Sequence, residues 1–272
     1  MACAQDSDEE LRALLESENT GLELKPLTFP SSEKAIYCDT AGGNVRPYVP
    51  RDFRRRVFES CHGLSHPGVK ATIDLVRKRY VWKNLSKDCS SWCKTCIACQ
   101  KSKVNRHTKT KFKEFPAPDA RFSHIHIDIV GPLPPSQEFR YVLTCVDRYT
   151  KWPEAIPLKD QTADTVAKAF YANWIARFGV PDVITSDRGT NFQSNLFSSL
   201  SKLLGVRRIR TTSYHPISNG LVERMHRQLK AAIKCHATDR WTDTLPTVLL
   251  GIRSCLKDDI QGSVAEMSTV PP

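Results

Sequence analysis

Hydrophobic positions fall into two textures along the chain. Up to about residue 100 they recur at three- and four-residue steps, the mark of helices with one buried face. Leu11, Leu14 and Leu15 predict a short amphipathic helix over Asp8–Glu18. Residues 22–50 are punctuated by Pro26, Pro30, Gly42–Gly43, Pro47 and Pro50, so they read as short extended pieces between turns. A helix opens at Pro50–Arg51 with Phe53, Val57 and Phe58 on one side. Pro67 fits the first turn of the next helix, striped by Val69, Ile73, Val76 and Tyr80. A third runs from about Leu85 into a cluster of cysteines. The stretch Lys101–Lys113 has no apolar period before Phe112 and reads as a basic linker.

From about Pro116 the period drops to two. HIHIDIV sets Ile125, Ile127 and Ile129 against His124, His126 and Asp128, which predicts a half-buried strand. RYVLTCVDRYT and KWPEAIPL read as two more strands. Val166, Phe170 and Trp174 predict a helix over Thr162–Phe178. A short strand, Asp182–Ser186, precedes a turn at Gly189, and a helix over Asn195–Leu204 ends at Gly205. A strand at 206–211 follows. A long helix from about Asn219 to His236 turns Val222, Met225, Leu229 and Ile233 inward, and Trp241–Ser254 forms a last helix. Three strands followed by alternating helices and strands predict an α/β domain of about 155 residues, large enough to bury nearly 70% of the surface of its unfolded chain. No internal repeat is visible.

Charge narrows the partner. The net charge is +11, and its distribution is uneven. Residues 1–33 hold 8 acids and 2 bases, whereas residues 34–118 hold 19 bases and 6 acids. A polyanionic partner follows, although charge alone does not separate nucleic acid from an anionic membrane surface. No apolar run nears the roughly 18 residues of a membrane span. The acidic start MACAQDSDEELRALLESE lacks the apolar core of a secretory signal.

Cysteine usage points to metal. Four of the ten cysteines crowd into Cys89, Cys93, Cys96 and Cys99. Without a secretory signal, such a cluster near paired histidines reads as metal binding rather than a disulfide framework. His62 closes one predicted helix and His66 precedes the next, so both imidazoles can converge with Cys96-x2-Cys99. Two His and two Cys satisfy tetrahedral zinc with no open position, a structural site. A module of about 60 residues with few large apolar groups needs such a staple; structural zinc contributes roughly 10–16 kcal/mol in small fingers. Cys93-x2-Cys96 has the same spacing, so the residues alone leave Cys93 and Cys99 as alternatives. Cys61 and Cys89 read as core cysteines. The competing reading is four unrelated residues, the cysteines serving as small hydrophobes.

Three acids stand out by context. Asp128 lies on the polar face near the end of its strand, Asp187 ends a strand before a glycine turn, and Glu223 lies in the first turns of the long helix, opposite its apolar stripe. About 0.75 Asp-x35-Glu pairs arise by chance in a chain of this composition, so context rather than spacing carries the reading. Converging carboxylates suit hard Mg²⁺ or Mn²⁺. Three can hold two ions roughly 3.5–4 Å apart, the arrangement for phosphodiester chemistry. The bland alternative is surface carboxylates in separate ion pairs. Arg224, Arg227, Lys230 and Lys234 share the helix of Glu223, and the last three continue its exposed face. With Lys109 and Lys111 of the linker they are candidate phosphate contacts. The linker reads equally as a nuclear-import sequence. Tyr214, His215 and Asn219 lie in the loop before the helix.

Taken together, His62-x3-His66…Cys96-x2-Cys99-Gln100, HIDIVGPLP, TSDRGTNF and YHPISNGLVERMHRQLK resemble the integrases of gypsy-type LTR retrotransposons, relatives of retroviral integrases, from about Tyr37 to about Met267. The resemblance favours Cys99 over Cys93 as zinc ligand. It implies a small helical His2Cys2 zinc module followed by an RNase H-like catalytic core, a mixed five-stranded sheet flanked by helices. It assigns Asp128, Asp187 and Glu223 as the catalytic triad, with two Mg²⁺ or Mn²⁺ ions. The implied activity is DNA 3′-end processing and strand transfer by a polynucleotidyl transferase, within a homo-multimer on double-stranded DNA, both element ends and target, without membrane involvement. The implied compartment is the nucleus, with the cytoplasm as the other. The layout expected is an N-terminal extension (1–45), the zinc module (46–104), a basic linker (105–117) and the core (118–272). Asn191 and Ile217–Ser218 depart from the family pattern without touching the triad. Members continue past Ala265–Met267 into a C-terminal DNA-binding module, which is missing here, so a fragment of a longer polyprotein is expected. Two rival readings remain: a non-enzymatic DNA- or chromatin-binding derivative of an integrase, which need not keep all three acids, and a ribonuclease H, against which the zinc module argues.

Overall fold

The structure is a computed structural model, and it describes residues 1–17, 21–29, 34–102, 118, 120–187, 192, 194, 202, 204–210, 220–257 and 260–269. The chain divides into two units, Met1–Gln100 and Lys101–Pro272.

The first unit begins with two short helices, α1 (Ala2–Asp6) and α2 (Glu9–Glu16). The Asp8 carboxylate accepts from the backbone N–H of Leu11 at 2.8 Å and so caps α2. Strands β1 (Leu24–Leu27), β2 (Ile36–Asp39) and β3 (Arg46–Pro47) form an antiparallel sheet in that order. Helices α3 (Arg51–His62), α4 (Val69–Arg79), α5 (Leu85–Thr95) and α6 (Ile97–Lys101) follow. The N-terminal stretch belongs to this unit's core rather than hanging off it. Leu11 packs in one cluster with Tyr48, Val57, Phe58, Val76 and Trp82. Gln5 is buried because its amide donates to the carbonyls of Tyr37 and Tyr48 and accepts from the Tyr37 N–H. The core cysteines Cys61 and Cys89 are buried as expected of small hydrophobes.

The second unit is built on a five-stranded mixed sheet: β4 (His124–Val130), β5 (Tyr141–Asp147), β6 (Pro153–Leu158), β7 (Val183–Ser186) and β8 (Arg207–Arg210), in the order β6-β5-β4-β7-β8. β4, β5 and β6 form an antiparallel meander, and β7 and β8 run parallel to β4. One face, with Ile125, Ile127, Leu143 and Cys145, packs on Val166, Phe170 and Trp174. These sit on α7 (Ala163–Phe170), a π-helical turn (Tyr171–Ile175) and α8 (Ala176–Phe178), a run read from the sequence as one regular helix. Thr162 caps its start, and Gly179 ends it at φ 85°. The other face, with Val130, Val142 and Val146, packs on α9 (Gly220–His236) and α10 (Trp241–Ser254). The sequence predicts β4 as half-buried, but both faces are covered and His126 is buried. A short hairpin, β9 (Leu256–Lys257) with β10 (Gly262–Ser263), and α11 (Val264–Thr269) complete the unit and lack a sequence expectation. The helix expected over 195–204 lies outside the described residues apart from isolated positions. No helix among the described residues is long and apolar enough to cross a membrane.

Candidate metal centres

The first centre is made where helices end. His62 is the last residue of α3, and a turn follows in which the His66 N–H donates to the His62 carbonyl at 2.8 Å. His66 itself takes φ 48°, which swings its ring back toward α3. Cys96 ends α5 and Cys99 rides on α6. The ligand atoms of His62, His66, Cys96 and Cys99 all lie within 4.8 Å of one another. Cys99 Sγ is 3.3 Å from His62 Nε2 and 3.5 Å from His66 Nδ1, and Cys96 Sγ is 3.5 Å from the same His66 nitrogen.

Thr72 backs the His62 ring: its hydroxyl lies 3.1 Å from His62 Nδ1 and 3.2 Å from the Pro67 carbonyl. With Nε2 on a metal, Nδ1 carries the ring proton and donates it to Thr72. Burial, reinforced by the charges of His66 and Arg55, lowers the His62 pKa to about 4 and keeps the ring neutral, the form that binds metal. Cys93 Sγ lies 3.8 Å from Nδ1, the nitrogen turned away from the other three ligand atoms. Two sulfurs and two imidazole nitrogens at these spacings suit tetrahedral zinc.

The second centre depends on the sheet. β4 and β7 pair in parallel with Ile127 beside Ser186, and the next residue of each chain segment is Asp128 and Asp187. Across the antiparallel pair Asp128 faces Thr144. Asp128 shares a sheet face with Val130, the face on which α9 packs through Val222, Met225 and Leu229. Glu223 lies in the first turn of that helix. Burial raises the Asp128 pKa first, and the charges of Asp187 and Glu223 raise it further, to about 6, against partial relief from the Ile129 N–H and Lys230. The Ile129 N–H donates to Asp128 Oδ1 at 2.8 Å. Asp187 and Glu223 thus both bear on Asp128. The three acids are more loosely gathered than the first centre, since the His/Cys cluster is the one group of metal-ligating side chains within 4.8 Å among the described residues. A half-buried concentration of negative charge suits hard divalent cations held through oxygen.

Two neighbours escaped the sequence reading. Thr144 Oγ1 donates to the Asp128 carbonyl at 2.9 Å and sits 2.7 Å from His226 Nε2. His226 Nδ1 lies 3.9 Å from Asp128 Oδ2. Burial and Lys230 lower the His226 pKa to about 4. His226 lies three positions after Glu223, on adjacent turns of one helix, and that spacing is the available signal. Arg227, Lys230 and Lys234 are exposed on α9. Lys109, Lys111, Asn191, Tyr214, His215, Ile217–Ser218 and Asn219 lie outside the described residues.

Comparison with known families fits these two centres. Residues 49–105 match the integrase zinc binding domain, and residues 118–216 match the integrase core domain, together more than half of the chain. The chain belongs to the retroviral integrase superfamily. The core match includes Asp128 and Asp187 and stops short of Glu223, whose association with them rests on α9. Among its relatives, the retrovirus-related Pol polyprotein from transposon 412 of Drosophila melanogaster is 34% identical over 179 residues, 65% of this chain and 14% of that protein. The Pro-Pol polyprotein of Simian foamy virus type 1 is 29% identical over 250 residues, 91% of this chain and 22% of that protein. The Pol polyprotein of Radiation murine leukemia virus (strain Kaplan) is 30% identical over 221 residues, 77% of this chain and 37% of that protein. The chain thus spans a minor part of each polyprotein. A chain of the simian T-cell lymphotropic virus intasome in complex with PP2A regulatory subunit B56 gamma shares the fold, with TM-score 0.54 and 16% identity over 79% of this chain and 73% of that one.

Proposed function

We propose that this chain is the integrase of a gypsy-type LTR retrotransposon, a polynucleotidyl transferase that trims the 3′ ends of the element's DNA and joins them to target DNA. The observation that carries the proposal is the placement of Asp128 and Asp187 just past paired residues of two adjacent parallel strands in an integrase core, with the charges of Asp187 and of Glu223 on α9 both acting on Asp128. These acids would hold two Mg²⁺ or Mn²⁺ ions, which supply activation of the attacking oxygen and stabilisation of the leaving one. Asp128, tied to its own strand by the Ile129 N–H and to β5 through Thr144, fixes one edge of the site. Glu223 arrives on a helix anchored by four buried residues. Arg227, Lys230 and Lys234 run along the exposed side of that helix and would neutralise DNA phosphates, with Lys109 and Lys111 of the linker. His62, His66, Cys96 and Cys99 would hold one structural zinc. We further propose a homo-multimer on element ends and target DNA, acting in the nucleus, a reading in line with the intasome from which the structural relative comes.

The test is strand transfer with the element's terminal DNA in Mg²⁺ or Mn²⁺. The unsubstituted chain is expected to join ends. Asp187→Asn is expected to lose processing and joining together while keeping its zinc. Joining at an undiminished rate by an active protein carrying Asp187→Asn would overturn the assignment.

A further inference from the structure

His226 has a fixed orientation that the carboxylate reading leaves unused. The Thr144 hydroxyl lies 2.7 Å from His226 Nε2 and 2.9 Å from the Asp128 carbonyl, so one ring nitrogen is held against β5. The other, Nδ1, faces Asp128 Oδ2 across 3.9 Å, too far for a direct hydrogen bond. Two atoms bound to one divalent ion at about 2.1 Å each sit roughly 3–4 Å apart, the separation found here. The side chain has little freedom to turn away: it is 13% exposed, and its helix is held on the sheet by Met225 and Leu229 on either side of it.

We propose that His226 is a fourth ligand of the acid centre, so that one ion there is held by imidazole nitrogen as well as carboxylate oxygen, and that this biases the centre toward transition-series divalent ions over Mg²⁺. The inference rests on the reading of Asp128, Asp187 and Glu223 as metal ligands and adds the donor that distinguishes among metals. Thr144 is the positioning residue: with a metal on Nδ1 the ring proton lies on Nε2 and donates to the Thr144 hydroxyl, as it does to carbonyls and carboxylates behind metal-bound histidines elsewhere. Oxygen donors alone do little to separate Mg²⁺ from Mn²⁺, whereas imidazole nitrogen favours the transition metal.

The test uses Mn²⁺ alone as probe, on the full chain with its zinc site filled, at pH 7.5 and without DNA. Pulsed electron paramagnetic resonance of bound Mn²⁺ is expected to show coupling to an imidazole ¹⁴N. His226→Ala is expected to remove that coupling and to weaken Mn²⁺ binding by about tenfold, with Mg²⁺ affinity changed by less than about threefold. Thr144→Val, which keeps the imidazole but frees its tautomer, is expected to weaken the coupling. The unsubstituted protein decides the matter even if His226→Ala fails to fold. Bound Mn²⁺ without nitrogen coupling overturns the fourth ligand and leaves the carboxylate centre standing. No Mn²⁺ binding at all overturns both. Coupling that persists in folded His226→Ala protein assigns the nitrogen to another residue and overturns the inference.

Discussion

Replacing Thr72 by valine tests how the zinc cluster is held. Valine fills nearly the same volume but cannot accept a hydrogen bond. Thr72 is fully buried and His62 is 2% exposed, so water cannot replace the lost acceptor. The Nδ1–H of His62 then has two poor options. It stays buried without a good partner, at about 1–3 kcal/mol, or the proton moves to Nε2 and removes the lone pair that faces Cys99. Either route lands on the metal. Cys93 Sγ at 3.8 Å from Nδ1 is a weak substitute acceptor and holds the penalty toward the lower end. Zinc affinity is therefore expected to fall about 10–100-fold, the usual worth of a partner behind a metal-bound histidine. The measurement is competition with a chromogenic chelator under reducing conditions, with circular dichroism of the zinc-loaded protein to establish that α3–α5 remain folded. Thr72→Ser, which restores the hydroxyl, is expected to recover most of the loss. An affinity for Thr72→Val within twofold of the unsubstituted protein would refute the tautomer argument.

Three further outcomes are expected. Cys99→Ser should lose zinc on elemental analysis while Cys93→Ser retains one ion per chain; the reverse pattern would put the wrong thiol in the ligand set. Asp128→Asn should stabilise the metal-free protein at pH 7.5. Folding raises this carboxyl to about 6, so the folded state binds the proton more tightly than the unfolded one, and stability falls as pH rises from about 4 to 6 and stays lower above that. Removing the charge returns up to about 3 kcal/mol, read as a higher denaturant midpoint without divalent ions, and an unchanged midpoint counts against an ionised Asp128 that burial and its acidic neighbours disfavour. His124, bonded to Thr185 through Nε2 at 2.8 Å, is lowered to about 4 by burial and by Arg148 and Arg207. Its unfolded form takes up a proton near the ordinary 6.5 and its folded form does not until about 4, so stability drops as pH falls through that window. His124→Gln should make the fall in denaturant midpoint between pH 7 and 5 shallower, and an identical slope would reject this account.

What the sequence made legible follows from how local each signal is. The stripes Phe53–Val57–Phe58 and Val69–Ile73–Val76 place α3 and α4 because an amphipathic helix carries its own record of which side is buried. Gln5 carries none, since its burial depends on backbone groups of Tyr37 and Tyr48 far along the chain. The alternation of HIHIDIV identifies the strand and its apolar face. It does not reveal that α9 and α10 cover the polar face as well, because alternation says nothing about what arrives from elsewhere. The π-helical turn has a local trace in the sequence. Val166, Phe170, Trp174 and Phe178 are spaced at four, and in a regular helix each such step rotates about 40° past a full turn. A wider turn at Tyr171–Ile175 takes up part of that drift, which keeps Phe170 and Trp174 buried against the same sheet face.

The two centres differ in what the protein offers a metal. In the His/Cys cluster the two imidazoles and two thiols come from helix ends within one small unit, and Thr72 stands 3.1 Å behind His62 Nδ1. The acid centre gathers like charges, and burial together with Asp187 and Glu223 already raises the Asp128 pKa. Drawing Asp187 and Glu223 closer would raise that repulsion further, and a divalent cation would relieve it. Asp128 is fixed by its strand, by the Ile129 N–H and by the Thr144 bridge to β5. Glu223 lies in the first turn of α9 and is exposed, so solvent screens it more than Asp128. Binding of a divalent ion is thus expected to relieve Asp128 above all, and the binding energy released there offsets the stability that the ionised Asp128 costs the fold.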